Sequence, residues 1–382
     1  MISIESKLPK SGTTIFTVMS RLAEQHGAVN LSQGFPDFQP PDTLVERVTH
    51  YLRAGMNQYP PMTGVAKLRE AISNKLRTHY GVHADADAQI TVTHGATEAL
   101  FCAIHAVVRP KDRVIVFDPA YDSYEPAITL AGAETVHVPL LAPDFGIDWD
   151  RLQSSLNDQT RLVIINSPHN PTGTLLDGDD LDRLAALLRP YGCYVLSDEV
   201  YEHIVFDGRQ HATVLAHAEL AERSFAVFSF GKTYHATGWK VGYCVAPRAL
   251  SDEFRRVHQY VNFCAVGPIQ HALADHLVDD PQHYRDLPAF YQQKRDQFNG
   301  LLATTRFEFA PAKGTYFQLA DYSAISDLGD VEFARWLTIE HGVATIPISV
   351  FCEQAPDLRL VRFCFAKRTQ TLQSAHARLA DL

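Results

Sequence analysis

The stretch "FAVFSFGKTYHATGWKVGYCVA", residues 225–246, contains two short apolar runs separated by a loop that carries Lys232 and Lys240. The runs "FAVFS" and "VGYCVA" lack polar alternation, which is typical of strands buried on both faces. In sheets built from such strands the ligand lies beyond the carboxyl ends of the strands. The loop after "FAVFS" is therefore the first place to look for a functional site.

Four further apolar runs precede this stretch, and longer amphipathic segments separate them. The runs are "QITVT" (89–93), "RVIVF" (113–117), "RLVIIN" (161–166) and "YVLSD" (194–198). Helical patterns such as "GATEALFCAIHAVV" and "GDDLDRLAALLRPYG" lie between them. This alternation predicts an α/β fold in which a mostly parallel sheet lies between helices.

Beyond about residue 280 the pattern changes to that of a smaller α+β unit. A long helix is predicted over "YRDLPAFYQQKRDQFNGLL", followed by "YFQLA", the helix "VEFARWLTIEHG" and "LRLVRFCFA". The opening segment, which includes "LSQGFPDFQPPD", fits neither pattern. We therefore expect a large domain over residues 46–280 and a small domain formed by residues 1–45 and 281–382.

Composition excludes several classes of protein. The chain of 382 residues has a formal net charge of −10, which argues against a nucleic-acid partner. No window approaches the roughly 18 apolar residues of a membrane span, and the start lacks a secretory signal. Six cysteines form no C-x-x-C pair and the histidines form no H-E-x-x-H, so neither a disulfide framework nor a metal site is predicted. The expected location is the cytoplasm.

Two loops at strand ends allow both a functional and a plain structural interpretation. Gly95, Ala96 and Thr97 begin a helix after "QITVT", and small residues at a helix N-terminus suit a phosphate. An ordinary N-cap by Thr97 explains the same residues. Asn170 lies in "SPHNPTG", where the flanking prolines could fix its amide, or where the segment could be a simple turn.

Acidic residues end the strand "YVLSD", where Asp198 and Glu199 are followed by Tyr201. A carboxylate at the end of a buried strand is costly unless it meets a cation or several donors. An N-cap would account for one acid, but less well for two acids and a tyrosine together.

Lys232 stands in "GKT", which also ends the phosphate-binding loop of P-loop nucleotidases. The first glycine of that loop would fall at Ala226, inside the predicted strand, so we disfavour a P-loop. A lysine on a strand-end loop, facing an acid and a phosphate cradle, fits a Schiff base with an aldehyde cofactor.

Seven segments together resemble the motifs of class I pyridoxal-phosphate aminotransferases of fold type I. They are "SQGFPDF", "NQYPPMTG", "DPAYDSY", "NSPHNPTG", "SDEVYEHI", "SFGKTYHATGWKVGY" and "LRLVRFCF", and the resemblance covers residues 16–365. Within this family they look most similar to the kynurenine aminotransferase branch and to bacterial methionine aminotransferases. The resemblance implies a seven-stranded type of sheet, bound pyridoxal 5'-phosphate and a homodimer with shared active sites.

The resemblance also implies the catalytic roles. Lys232 would form the Schiff base and, once freed, would move the proton between the substrate and the cofactor. Asp198 would pair with the pyridine nitrogen, and Tyr201 and Asn170 would donate to the phenolic oxygen. Tyr121 would stack on the ring.

By the same resemblance, the cofactor phosphate would lie on Ala96 and Thr97, with Ser229 and Lys240. Relatives outside this branch have an arginine at the Lys240 position, so the lysine would act as a point charge. Tyr59 would reach the phosphate of the neighbouring subunit, which is the reason to expect a shared site.

For the substrate, the resemblance assigns Arg362 to the carboxylate with help from the Gly34 backbone. Phe16, and with it Phe263, would line the side-chain pocket. His169 departs from many relatives of the kynurenine branch and receives no role.

The expected activity is ping-pong transfer of the amino group of methionine, or of an aromatic amino acid, to a 2-oxo acid. A kynurenine–oxoglutarate transaminase and a carbon–sulfur β-lyase acting on cysteine conjugates stay open as alternatives. A cofactor-binding sensor is a third alternative, disfavoured because such regulators carry an added DNA-binding segment.

Overall fold

The computed structural model describes residues 4–354 and 356–382, which form fourteen α-helices and twelve β-strands. The strands are β1 Val29–Asn30, β2 Ile90–Thr93, β3 Arg113–Asp118, β4 Glu134–Pro139, β5 Thr160–Asn166, β6 Tyr194–Asp198, β7 Ser224–Ser229, β8 Gly242–Val245, β9 Phe317–Asp321, β10 Val343–Ala344, β11 Ile346–Pro347 and β12 Leu360–Cys364. Seven of them, β2 to β8, form the central sheet.

The central sheet has the strand order β2-β8-β7-β6-β5-β3-β4. Strands β3 to β7 run parallel, and β8 lies antiparallel between β2 and β7. The expectation of a mostly parallel sheet is confirmed, and each of the six predicted strands lies within one residue of its predicted bounds. The seventh strand, β4, was not predicted because it is an edge strand with only one fully buried residue, Val138.

The helices are α1 Ile15–Gln25, α2 Asp42–Arg53, α3 Ala66–Tyr80, α4 Ala96–Val107, α5 Tyr124–Leu130, α6 Trp149–Ser155, α7 Gly178–Leu188, α8 Ala218–Ala221, α9 Phe230–Thr233, α10 Arg248–Val261, α11 Gly267–Asp279, α12 Gln282–Leu302, α13 Asp330–Glu340 and α14 Thr369–Leu379. No helix in residues 4–354 and 356–382 is long and apolar enough to cross a membrane.

Both faces of the central sheet are covered, because alternate residues of its strands belong to two separate cores. Val114 and Val116 of β3 pack in a core with residues of α4, α5 and α10. Their neighbour Ile115 packs in the other core, which includes residues of α3, α7 and α11. This arrangement explains the absence of polar alternation in the strands.

A second sheet lies outside the central one and is antiparallel, with the order β11-β12-β9. The opening segment contacts the C-terminal part of the chain: β1 pairs in parallel with β10 in a separate two-stranded sheet, and α1 packs against α13. These contacts link the N-terminal part of the chain to its C-terminal part.

We propose a large domain that ends near residue 280 and a small domain made of the two chain ends. The gap between α11 and α12 supports the boundary near residue 280. The predicted cut after residue 45 falls inside α2, which packs against α11, so we place this boundary before α2. Residues 1–3 of the expected small domain lie outside the described residues.

Candidate active site

A cavity of about 490 Å³ lies between the carboxyl ends of the central strands and the second sheet. Asn166, Asp198 and Ser229 end β5, β6 and β7, and Arg362 reaches the cavity from β12. The cavity brings together all but two of the residues that the sequence predicted for the site: Phe16, Gly34, Ala96, Thr97, Tyr121, Asn170, Asp198, Tyr201, Ser229, Lys232, Lys240 and Arg362.

Asp198 is buried at the floor of this cavity, with 3% of its surface exposed. Tyr124 donates its hydroxyl proton to Asp198 Oδ2 at 2.7 Å, and the Val200 N–H lies 3.4 Å from Oδ1. Burial raises the pKa of the Asp198 carboxyl to about 6, although the bond from Tyr124 opposes the shift. A cationic ring nitrogen beside this carboxylate would offset the cost of its burial.

The Lys232 amine lies in the same cavity and belongs to α9, the short helix that directly follows β7. It donates to the Tyr316 hydroxyl at 2.9 Å and to the Gly34 carbonyl at 3.3 Å. Burial lowers the pKa of Lys232 to about 8, and the positive charge of Lys240 acts in the same direction. An amine with this pKa is available both as a nucleophile and as a proton carrier near neutral pH.

The first turn of α4 forms a cradle with the shape that a phosphate requires. Gly95 has φ +79°, and a Cβ atom there would lie 3.2 Å from Lys240 Nζ. A Cβ on Gly242 would lie 2.9 Å from the Ala96 nitrogen, so β8 approaches the helix start only because residue 242 is glycine. The free N–H groups of this turn and the Lys240 ammonium face one space, which suits an anion.

Arg362 is fully buried in β12, and its charge has no carboxylate partner among the described residues. Its Nη1 donates to Asn170 Oδ1 at 2.6 Å and its Nη2 to the Ser32 carbonyl at 3.0 Å, while Nε has no partner there. The guanidinium carbon lies 3.8 Å from the centre of the Phe317 ring. A buried, unpaired guanidinium that faces a cavity is suited to a substrate carboxylate.

Three further predicted residues have contacts that bear on their roles. Burial raises the pKa of Tyr201 above its usual range and that of Tyr121 to about 12, so both stay protonated. Asn170 uses its oxygen to accept from Arg362, which leaves its amide N–H₂ group as a donor.

Residues 26–379 match the family model described as aminotransferase class I and II. The chain belongs to this family. It is 56% identical to the methionine aminotransferase of Escherichia coli over 378 residues, which cover 99% of this chain and 98% of that protein. It is also 39% identical to the probable N-succinyldiaminopimelate aminotransferase DapC of Mycobacterium tuberculosis over 99% of this chain and 98% of that protein. The kynurenine–oxoglutarate transaminase of Dictyostelium discoideum is 34% identical over 97% of this chain and 94% of that protein.

The fold of this aminotransferase is similar to that of a solved relative along its whole length. The crystal structure of YbdL from Escherichia coli, described as having a methionine aminotransferase function, has 55% sequence identity and a TM-score of 0.98. The alignment covers 100% of both chains. The fold type predicted from the sequence motifs is therefore confirmed.

Tyr59 lies outside the cavity of the aminotransferase chain. It is 84% exposed, and its ring packs edge-on against that of Phe263, with 5.7 Å between the ring centres. Phe263, expected at the side-chain pocket, does not line the cavity either, because it lies at the surface beside Tyr59.

Two polar residues of the site did not emerge from the sequence as individual candidates. Tyr124 binds Asp198, and it lies in the segment "DPAYDSY" that carried the family resemblance. Tyr316 binds Lys232, but "TYFQL" offers only an aromatic residue before a buried strand. His169, which received no role, is buried with Nδ1 2.7 Å from Thr172 Oγ1, and burial lowers its pKa to about 4.

Proposed function

We propose that this aminotransferase moves the amino group of methionine to a 2-oxo acid by a ping-pong mechanism, with pyridoxal 5'-phosphate as its cofactor. The observation that carries the proposal is the 56% identity, over 99% of the chain, to a protein named methionine aminotransferase. Two features of the cavity support the same proposal: its charged residues suit the cofactor and a substrate carboxylate, and its apolar residues suit the side chain of methionine.

The cofactor, when bound, supplies an aldehyde that captures amino groups and a protonated ring that accepts electrons from the substrate α-carbon. The residues of the cavity fit this group. Asp198 is a buried carboxylate that faces a cavity and forms no ion pair with any described residue, and the first turn of α4 with Lys240 is an anion cradle. Tyr201 and Asn170 offer hydrogen-bond donors between these two ends, and Tyr121 offers a ring.

Lys232 would hold the cofactor until the substrate displaces it, and its freed amine would then carry the proton. The lowered pKa of Lys232 supports this role, because a neutral amine accepts a proton and the resulting ammonium returns it. Lys232 would take one proton and give one back in each half of the reaction, so one residue could serve as both base and acid.

Arg362 would bind the α-carboxylate of the substrate through its planar fork. The Gly34 carbonyl accepts bonds from Tyr316 and Lys232, so any help from Gly34 would come from its N–H. A Cβ at Gly34 would lie 2.7 Å from Phe317 Cζ, so a larger residue here would displace the Phe317 ring.

The choice of an apolar donor follows from the charges in the cavity. Among the described residues, its cationic side chains are Lys232, Lys240 and Arg362, and each already has a proposed task. None is left for a second carboxylate, whether of aspartate or of a succinylated amino acid. Phe16 and Phe317 line the same space and favour methionine or an aromatic amino acid.

A panel of amino donors tests the proposal directly. Purified holoenzyme is mixed with methionine, phenylalanine, kynurenine, aspartate or N-succinyldiaminopimelate, and loss of the visible cofactor band is followed in a single turnover. We expect methionine to react fastest and aspartate at least about 10²-fold more slowly, because its distal carboxylate would lie unpaired in an apolar pocket. A fastest reaction with N-succinyldiaminopimelate or kynurenine would refute the assignment of methionine.

The same panel separates the other activities. Release of pyruvate from a cysteine conjugate faster than its transamination would favour a β-lyase. Cofactor binding without loss of the band for any donor would favour a sensor. The cytoplasmic location expected from the sequence stays a prediction.

We also propose that the active form is a homodimer in which Tyr59 reaches the phosphate of the neighbouring subunit. Its 84% exposure, together with the exposed Phe263 ring against which it packs, supports an interface at this surface. Mixed dimers of Tyr59→Phe and Lys232→Ala chains test the sharing. They should regain one normal site per dimer, and failure to regain any would contradict a shared site.

A further inference from the structure

Tyr316 lies immediately before β9, and its hydroxyl forms a closed triangle of hydrogen bonds with Lys232 and Gly34. Lys232 Nζ donates to the Tyr316 oxygen at 2.9 Å and to the Gly34 carbonyl at 3.3 Å. The Tyr316 hydroxyl donates to the same carbonyl at 2.6 Å. The amine is thus bound from the side of the opening segment and the second sheet.

The directions of these bonds follow from the number of protons available. Tyrosine has a single hydroxyl proton, and the short bond to Gly34 uses it, so the Tyr316 oxygen can only accept from Lys232. A neutral amine has two N–H bonds and one lone pair. When Tyr316 and Gly34 hold both N–H bonds, the direction of the lone pair is fixed as well.

Tyr316 is not free to move or to ionise. Its side chain is fully buried, and its ring packs against those of Tyr201, Tyr291 and Phe317, with centres 5.1, 5.8 and 4.9 Å away. Burial raises the pKa of Tyr316 well above its usual range, so its hydroxyl stays protonated. It is therefore suited to hold a proton carrier in place and unsuited to be one.

We propose that Tyr316 is a positioning residue that orients the freed amine of Lys232 for proton transfer at the substrate α-carbon. This inference rests on the proposed function of Lys232. The proton taken from the α-carbon becomes the third N–H of the ammonium, while Tyr316 and Gly34 keep the other two. The same geometry then returns a proton, so the triangle is unchanged after each half-reaction.

Loss of the Tyr316 hydroxyl has a predictable sign. The groups that face Lys232 are Cys364, Lys240, Asp198, Arg362, Tyr201 and Tyr316. Of these, the Tyr316 oxygen accepts a hydrogen bond from Lys232, and an acceptor favours the charged amine. Its removal therefore lowers the pKa of Lys232 and leaves one N–H of the amine without a fixed direction.

The test compares Tyr316→Phe with Tyr291→Phe. Tyr291 is equally buried, its ring lies next to that of Tyr316, and its hydroxyl contacts His235 Nδ1 at 3.0 Å and not Lys232. Both variants delete one oxygen from the same aromatic cluster. Three properties are measured: the single-turnover rate and the substrate affinity of the holoenzyme, and the pH midpoint at which acetic anhydride labels Lys232 in cofactor-free full-length protein.

For Tyr316→Phe we expect a rate lower by roughly 10- to 100-fold at nearly unchanged substrate affinity, as for loss of orientation in the transition state. The labelling midpoint should fall by about one pH unit. Tyr291→Phe should leave the rate, the substrate affinity and the labelling midpoint unchanged. Equal effects of the two variants, or an unchanged rate and midpoint in Tyr316→Phe, would overturn the proposal. If wild-type protein catalyses no transamination, the proposed function fails, and the labelling midpoint alone decides whether Tyr316 holds the amine.

Discussion

The two sheets that enclose the cavity supply different kinds of residue. The central sheet presents Asp198 and Ser229 at the carboxyl ends of its strands, and Lys232 follows in α9, the short helix after β7. The first turn of α4 lines the same side of the cavity. The second sheet presents Arg362 from inside β12 and Phe317 at the start of β9, and Tyr316, immediately before β9, contacts Lys232. The residues of the first set can bind a phosphate and a cationic ring. The residues of the second set can bind a carboxylate and orient the Lys232 amine.

The two sheets therefore differ in which ligand their residues can bind. Asp198 and Ser229 are the last residues of neighbouring parallel strands, so groups from several strands point at one ligand beyond the sheet edge. Residues inside a strand have directions fixed by the pleat, which suits a rigid clamp such as Arg362. A change in one sheet should therefore affect the cofactor, and a change in the other should affect the substrate.

The largest expected effect is that of Lys232→Ala, because Lys232 is the proposed acid–base group and contacts residues of both sets. The half-reaction with methionine should slow by more than about 10⁴-fold, the upper range for loss of a positioned acid–base group. Single-turnover absorbance measures the rate, and Lys240→Ala is the matched control, which should retain measurable turnover. A rate for Lys232→Ala within tenfold of wild type would remove Lys232 from the mechanism.

Arg362→Lys tests the second sheet alone. It keeps the charge and loses the planar fork, so kcat/KM for methionine should fall by roughly 10²-fold, as expected for loss of a charged, bidentate contact. Cofactor affinity should stay within about threefold of wild type, because Arg362 belongs to the other set. The division between the sheets would be wrong if cofactor affinity fell as far as kcat/KM.

The pH dependence of cofactor binding tests the central sheet. The Asp198 carboxyl has a pKa of about 6 in the cofactor-free protein, and a cationic ring favours its charged form. Cofactor affinity should therefore fall as pH falls through this value, by about fivefold between pH 6 and pH 5. The Asp198→Asn variant should bind the cofactor more weakly at neutral pH, and its cofactor affinity should no longer fall between pH 6 and pH 5.

The same raised pKa has the opposite consequence for stability without cofactor. Because the folded pKa of Asp198 lies above the ordinary value of 3.8, the stability it contributes is present below that value and is lost as pH rises through about 6. Asp198→Asn should thus raise the Tm of the cofactor-free protein at neutral pH while it weakens cofactor binding. A lower Tm in this variant would show that the buried, charged carboxylate does not destabilise the cofactor-free protein.

The smallest effect is expected at Lys240, which is exposed at the phosphate cradle. Lys240→Ala should weaken cofactor binding by about tenfold and reduce its salt dependence, while Lys240→Arg should stay within about threefold, because a point charge is enough there. Titration of the cofactor at low and high salt measures both. An unchanged affinity in Lys240→Ala would remove this residue from the cradle.

The sequence predicted the central sheet and the residues at its edge better than it predicted the second set. Strands buried on both faces have no polar alternation, and polar residues such as Asp198 stand out where such strands end. Arg362 and Tyr316 lie in or beside strands that are as apolar as the rest of the core, so their neighbours do not mark them. Arg362 was predicted from the family resemblance, and Tyr316 was not predicted.

The contacts between separate segments could not be predicted from the sequence in either set. Tyr124 and Asp198 are 74 positions apart, and Tyr316 and Gly34 are 282 positions apart. Only the folded chain brings each pair within hydrogen-bond distance. β4 was missed for a different reason, since its mixed burial at the sheet edge gives no buried pattern.

The central claim is that Lys232 holds the cofactor covalently and that Lys240 serves only as a charge. Reduction of the holoenzyme with borohydride, followed by digestion and fragment mass spectrometry of the segment 229–243, tests it most directly. We predict that the cofactor mass is found on Lys232 and that Lys240 is unmodified. A modified Lys240, or a cofactor that is not fixed to this segment at all, would contradict the account.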